Sequence, residues 1–255
     1  MCLISTGDDK RQEEVNLDDL KRQFKSASQY SLPFTLIHGK IYNLTNFNHP
    51  GGHVAIELAY GRDATEMFES MHQLTDKSKL GMILKKYEAS PSEQLIIKNY
   101  ISPSGIFDWE ATINSEFTKE LSATAKIILK DNDKITVTRL VEVVFFFLLS
   151  LWQFYHCIRG THLALIGFPL AFWVFTVNLF HDGSHFAVSK IPVINHICSE
   201  TAFLFSTPYT WYHQHIIGHH CFPNVIGKDP DLYHSPKFTR CLSVQSSTSG
   251  LEQAY

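Results

Sequence analysis

No Cys-x-x-Cys pair occurs in the sequence. Its five cysteines (Cys2, Cys157, Cys198, Cys221 and Cys241) are odd in number and dispersed. That argues against a disulfide scaffold and for free thiols in a reducing compartment. The opening stretch MCLISTGDDKRQEEV holds no apolar run before its charges begin, so no secretory signal is expected and the first domain should be cytosolic. Charge of either sign is also in short supply. A net charge of −3 gives no support to nucleic acid or any strongly charged partner. Between residues 140 and 181 the only charged residues are Glu142 and Arg159, set among Phe, Leu and Val. A soluble stretch, 1–136, therefore precedes one of membrane composition.

What the chain has in excess is histidine: eight of its 14 lie between His181 and His234. Two others frame the soluble part. Leu17–Phe24 reads as a short helix, and residues 34–45 as a hairpin about the His38-Gly39 turn. His49-Pro50-Gly51-Gly52 follows as a turn with a histidine at its tip. Val54–Ala59 and Ala64–Met71 then read as short helices, the second closed by His72. Two histidines on opposite loops, with apolar residues between them, suit the two faces of one flat iron macrocycle. Leu36, Leu44, Phe47, Ile56, Leu58, Phe68, Met71 and Leu74 are candidate walls. Gly51 and Gly52 let the backbone approach the macrocycle edge. With both axial positions filled, such a haem carries electrons and does not activate oxygen.

His49-Pro50-Gly51-Gly52, then Gly61-Arg62-Asp63-Ala64-Thr65, Phe68 and His72, resemble cytochrome b5 over about 70 residues. The resemblance implies an α+β domain over 16–88 with haem b held by His49 and His72. Gly51, Gly52, Phe47 and Phe68 would lie about it. His38 and His53 match no ligand position and are expected on the surface.

Residues 89–137 read as a linker. Within it Phe117, Leu121, Ala125 and Ile128 recur at helical spacing, which fits a helix on a membrane surface or one packed on protein. Thr138–Ile158 and Leu163–Phe180 are candidate spans, the second kinked by Pro169. Lys126, Lys130, Lys134 and Arg139 crowd the side before the first span, and only Arg159 sits between the two. The positive-inside rule then returns the chain to the cytosol near His181. A buried soluble helical hairpin is the alternative.

His181-Asp182-Gly183-Ser184-His185 follows directly. If the helix continues, an i,i+4 spacing puts both imidazoles on one face. The segment Trp211-Tyr-His-Gln-His215-Ile-Ile-Gly-His219-His220 repeats that pair and adds a neighbour. Imidazole suits iron, zinc, copper or nickel. An electron carrier in the same chain selects a metal that consumes electrons, and the membrane suggests a lipid substrate.

HDGSH and HQHIIGHH, followed by Pro223-Asn224 and Lys228-Asp229-Pro230-Asp231, resemble the first two histidine boxes of membrane fatty-acid desaturases. With the N-terminal cytochrome b5 they resemble the front-end subgroup. The resemblance implies an all-α membrane domain over 138–240, formed by a transmembrane hairpin and the histidine-box helices. It also implies a di-iron centre held by His181, His185, His215, His219 and His220, and O2-dependent desaturation of a fatty acyl substrate. An NADH-dependent flavin reductase would be the electron donor. The setting would be the endoplasmic reticulum membrane, multi-pass, with haem domain and boxes cytosolic. His196, His213 and His234 match no box position. The family's third box, QxxHH, has no counterpart, and residues 241–255 read as a polar disordered tail. The expectation is a truncated chain that binds haem, holds an incomplete non-haem iron centre and does not desaturate alone. A membrane-anchored cytochrome b5-type electron carrier and a fatty-acid or sphingolipid hydroxylase or desaturase are the alternatives.

Overall fold

A two-residue turn sets the first element. β1 (Phe34–Ile37) and β2 (Lys40–Asn43) pair antiparallel, with Ile37 opposite Lys40. His38 and Gly39 both carry positive φ, 48° and 74°, the backbone that lets so short a turn follow the twist of its strands. The computed structural model describes residues 32–105, 107–129 and 135–234. The helix expected at Leu17–Phe24 and the tail 241–255 lie outside them.

Neither edge of the hairpin is left bare. Leu36 donates to the Arg62 carbonyl (3.1 Å) and Ala64 to that of Leu36 (2.9 Å). On the other side Asn43 donates to Tyr87 (2.8 Å) and Ala89 to Ile41 (2.9 Å). Asp63 accepts from the Thr65 amide and hydroxyl, and the Thr65 oxygen accepts from the His38 amide. The start of α2 (Thr65–Met71) is thereby fixed to the turn. Before it comes α1 (His53–Glu57). After it α3 (Lys77–Lys86) starts at Asp76, whose carboxylate caps the amides of Ser78 and Lys79.

Two apolar clusters flank the hairpin. Ile37, Tyr42 and Leu44 pack with Phe47, Ile56, Tyr60, Phe68 and Leu84. Leu32, Phe34, Leu36 and Ile41 pack with Ala89, Ile96, Ile97 and Ile101. The second cluster corrects the expectation of a linker from residue 89, because 89–101 completes this core. Ser90 and Glu93 form a reciprocal capping box that opens α4 (Pro91–Ile97), and buried Glu93 also accepts from Asn43 (3.0 Å).

α5 (Trp109–Asn114) and α6 (Glu116–Ile128) follow. Phe117, Leu121 and Ile128 of α6 are exposed, so no protein among the described residues covers its apolar side. α7 (Val137–Ile158) and α8 (His162–Ser184) form an antiparallel hairpin, long and apolar enough to cross a membrane. Phe147 meets Phe175 and Phe154 meets Phe168, while Leu151, Trp152, Leu163, Ile166 and Leu170 point outward and are exposed. A buried soluble hairpin would cover those residues. α8 passes Pro169 without ending and runs four residues beyond the expected span, so the first histidine box is helical.

Chain reversal at Asn195, whose side-chain oxygen accepts from the amides of Val188 and Ser189, lays α9 (Pro192–Ser199) across the end of α8. The crossing is tight at Gly183, where a Cβ would stand 2.7 Å from the Ser199 nitrogen. α10 (Pro208–Trp211) then passes directly into a π-helical turn, Tyr212–His219, and α11 (Asp231–His234) follows a loop.

The two parts of the chain touch. Leu58, Tyr212 and Ile216 are buried together, with Val54, Met67, Phe186 and Ile217 around them. Pro192 stands where a Cβ on Gly52 would lie (2.7 Å), and Phe107 stacks on Phe222 (6.3 Å, 16°). The Ser104 amide donates to Asp63 (2.7 Å) and its hydroxyl to Glu66.

Ile97 is fully buried in the core that 89–101 completes. Ile97→Ala is expected to destabilise the first domain by about 2–5 kcal/mol. Faster hydrogen exchange of the β1 and β2 amides would show it; unchanged exchange would mean that α4 is not part of that core.

Candidate haem and metal sites

The HPGG turn and the end of α2 bring His49 and His72 opposite each other, with ring centres 6.0 Å apart and ring planes nearly perpendicular. Two imidazoles bonded to one metal have that separation, since a bond of about 2 Å and a ring radius of roughly 1.1 Å lie on each side. Gly51 leaves room for the His49 ring, which a Cβ there would approach to 2.9 Å. Phe68 packs on His72 (4.8 Å) and Phe47 on His49 (5.8 Å). Of the expected walls, Leu44, Phe47, Ile56 and Phe68 share one cluster. Leu36 lies instead in the opposite core, and Leu58 faces Tyr212 and Ile216. Met71 and Leu74 are exposed.

His72 Nδ1 lies 2.8 Å from the Phe68 carbonyl and donates to it, which leaves Nε2 with its lone pair for a metal. His49 Nδ1 accepts from the Gly51 amide (3.0 Å), so its ring must turn or exchange tautomer to present Nε2 in the same way. Burial, and then the charge of His72, lowers His49 to about 4. Burial lowers His72 as well. Both rings are therefore neutral at pH 7, the form that binds iron. His38 and His53 are exposed; His38 pairs with Glu69 at 2.8 Å.

The second site is built from two helical windings. In α8 the i,i+4 spacing stacks His181 and His185, with ring centres 4.6 Å apart. In the second box the same spacing was expected to pair His215 with His219. The two rings do stack, 5.7 Å apart at 20°, but the ligand atoms brought together are those of His215 and His220. The π-helical turn places the His220 amide 2.9 Å from the His215 carbonyl, an i,i+5 bond. His220 Nε2 then comes 3.0 Å from His215 Nε2, and His185 Nε2 lies 3.2 Å from the same atom. The ligand atoms of His181, His185, His215 and His220 all fall within 4.8 Å of one another. His219 turns aside, its Nδ1 3.1 Å and 3.2 Å from the two Asp229 oxygens and 3.4 Å from Asp231.

This donor set fits a metal ion. Ligand atoms on one ion with bonds of about 2.1 Å stand roughly 3.0–3.4 Å apart. A neutral imidazole nitrogen is either a donor or an acceptor. His215 Nε2, facing two others of its kind, therefore lacks a good hydrogen-bonding solution that a cation would supply. Burial, with neighbouring histidine charges, lowers His185 to about 4 and His215 to about 3.

Side chains that the sequence reading did not single out hold these rings. Trp211 stacks on His215 (4.2 Å, 27°) and donates from Nε1 to Ser184 (2.9 Å), tying the second box to the first. The i,i+4 spacing of Trp211 and His215 was the available signal. Asp182 contacts His181 Nδ1 (3.2 Å), and Arg139, at the start of α7, reaches both Asp182 (3.6 Å) and Glu142 (3.1 Å). Asp229 is fully buried. Burial opposes its ionisation, yet the Asn224 and Asp231 amides and His219 outweigh that and lower its pKa. His213 faces the Tyr209 carbonyl (2.9 Å), and it and His196 stand outside both ligand groups. The side chain of His234 is outside the described residues.

Fold and sites together define a small α+β domain with two opposed histidines, packed on a helical domain that carries two membrane-length helices and a histidine cluster fit for a metal ion. Comparison with known proteins agrees. Residues 20–101 match the family model for the cytochrome b5-like haem/steroid binding domain, and residues 159–251 that for fatty acid desaturase. An acyl-lipid omega-13 desaturase of Chlamydomonas reinhardtii is 27% identical over 242 residues, covering 84% of this chain and 50% of the relative. Acyl-lipid (8-3)-desaturase B of Dictyostelium discoideum is 30% identical over 77% of this chain and 42% of its own length. Delta(5) fatty acid desaturase A of that organism is 31% identical, with the same coverage. No solved structure matches. The chain is a cytochrome b5-like domain fused to fatty acid desaturase sequence, and it spans about half the length of these relatives.

Acid should weaken the haem-free protein through His49. Its folded pKa of about 4 lies below the usual 6.5, so between these values the unfolded chain binds a proton that the folded chain refuses. Stability is expected to fall as pH drops from about 6.5 towards 4, read as a declining denaturant midpoint. His49→Gln should flatten that decline, and an unchanged slope would show that His49 is not its source.

Proposed function

We propose that this chain serves O2-dependent desaturation of a membrane-borne fatty acyl chain, with electrons passing from the haem to non-haem iron. The observation that carries this reading is the convergence of four imidazoles from two boxes at the end of a membrane-length helix. The segment bearing two of them packs directly on the haem domain.

His49 and His72 would hold the haem, leaving no open position on its iron, so it relays single electrons. His181, His185, His215 and His220 would hold one non-haem ion, and His219 is the box histidine left for a second. Bound iron would supply the oxygen chemistry needed to break an unactivated C–H bond. The protein's own share is to keep His185, His215 and His220 neutral and to hold the rings in place through Trp211, Asp182 and the π-helical turn. Imidazole ligands offer no readily oxidised thiolate beside that chemistry. Cys198 and Cys221, the buried cysteines nearby, lie outside the ligand group, and burial pushes Cys221 up to about 12. The hairpin of α7 and α8 brings Arg139 and Asp182 to the same end, so entry and exit lie on one membrane face. With lysines before α7, that face is the cytosolic one. The setting proposed is the endoplasmic reticulum membrane, with an NADH-dependent flavin reductase as donor.

The test is iron per haem in the full chain purified in detergent, together with fatty-acid analysis of cells expressing it. At least about two irons per haem are expected, one in the haem and one on the four imidazoles. His215→Ala should lower that ratio without changing the reduced haem spectrum. A ratio near one under iron-replete preparation would remove the desaturation reading and leave a membrane-anchored electron carrier. An alcohol product instead of an alkene would point to a hydroxylase.

A further inference from the structure

Among the box histidines, His219 alone lies outside the four-imidazole group, and its Nδ1 faces a fully buried carboxylate. We propose that Asp229 is the positioning residue of the second box, fixing His219 through Nδ1 so that Nε2 is the nitrogen offered to a second metal ion. The inference rests on the reading of a metal centre given above.

The loop after the π-helical turn is built to deliver this carboxylate. Gly218 carries no Cβ, and Pro230 fills that space, where a Cβ would lie 2.7 Å from its Cδ. Asn224 adopts φ 63°, and its amide donates to Asp229 Oδ2 (2.7 Å), while the Asp231 amide donates to Oδ1 (2.9 Å). Asp229 is thus 1% exposed and held from two sides before it meets the ring. A carboxylate so placed accepts the Nδ1 proton, sets the tautomer and orients the ring, the usual role of an outer partner to a metal-bound histidine.

His219, Asp229 and Asp231 also have ligand atoms close enough to share an ion among themselves. The partners of Asp229 argue against that arrangement. Two backbone amides and the one Nδ1 proton take three of its roughly four acceptor sites, which leaves Asp229 a poor metal ligand beside an imidazole partner. Asp182 makes the equivalent contact to His181, but with 34% of its side chain exposed, against 2% for Asp229. The buried partner should have the larger effect.

The test is a cobalt(II) titration of the full haem-loaded chain in detergent, followed by the visible absorption of bound cobalt. Two steps are expected, a tighter one on the four imidazoles and a weaker one that depends on His219. Asp229→Asn should weaken the second step by about 10–100-fold and leave the first step and the haem spectrum unchanged. His219→Gln keeps the amide contacts of Asp229 and should weaken the second step at least as much. Asp229→Asn added to His219→Gln should then cost nothing further if the carboxylate acts through the ring. An effect of full size in that background would make Asp229 a loop support only and overturn the proposal. So would an Asp229→Asn chain that binds cobalt like its parent, or a parent with a single step, and both would leave the four-imidazole site standing. A parent that binds no cobalt removes both readings.

Discussion

The metal site depends on one backbone feature, the i,i+5 bond from His220 to His215. In an α-helix His220 would swing away from α8. One residue more per hydrogen-bonded turn brings the His220 ring to His215 (4.4 Å), while the His219 ring stays parallel to His215 at 5.7 Å with its Nδ1 on buried Asp229. The winding costs helical regularity, and its neighbours support it. Trp211 anchors its start to Ser184, Tyr212 and Ile216 bury its apolar side against the haem domain, and Pro230 sits over Gly218. Short π-helical turns tend to occur at functional sites for this reason: they change which residues share a face without breaking the helix.

The same turn joins the two domains. Tyr212 and Ile216 point away from the imidazoles and into the cluster with Leu58, Val54 and Met67. The haem-bearing HPGG loop approaches α9 closely enough that Gly52 excludes any side chain beside Pro192. One face of the turn thus carries metal ligands, and the other carries the contact with the electron carrier. The contact is apolar at its centre, bordered by Asp63 and Glu66 hydrogen bonds to Ser104. Displacing the first domain would expose the apolar support of the winding.

Much of this could be read from sequence wherever chemistry and local geometry coincide. His49-Pro50-Gly51-Gly52 and His72 marked the haem site because Gly51 leaves room for the His49 ring. His38-Gly39 marked the hairpin because two positive φ values are needed there. The first box was readable because α8 simply continues. The second was readable in composition but not in geometry: the HxxxHH spacing suggests an α-helical pair, and nothing local announces a π turn that tertiary contacts hold. The extent of the first domain was misjudged at Ser90-Pro91-Ser92-Glu93, whose serine-proline composition suggests a linker. Its Ser-x-x-Glu spacing is also a helix-start signature. Leu36 and Leu58 were assigned to the haem wall on apolarity alone. Strand alternation sends Leu36 to the far core, and the domain contact takes Leu58.

A half-buried histidine cluster is costly to protonate, because burial and the charges of neighbouring histidines both oppose it. Among the described residues the carboxylates stand at the edge of the group and none at its centre. Asp182 and Asp229 face Nδ1 atoms, while the centre holds only imidazole nitrogens. A carboxylate at the centre would favour protonated rings and compete with metal. One at the edge fixes the tautomer and strengthens the ligand. Arg139 carries the arrangement back to the start of α7, so the first box is oriented partly by the helix through which the chain enters the membrane domain. The metal site therefore takes its ligands from the end of one span and a folded-back turn, and its orientation from the start of the other span and a buried loop.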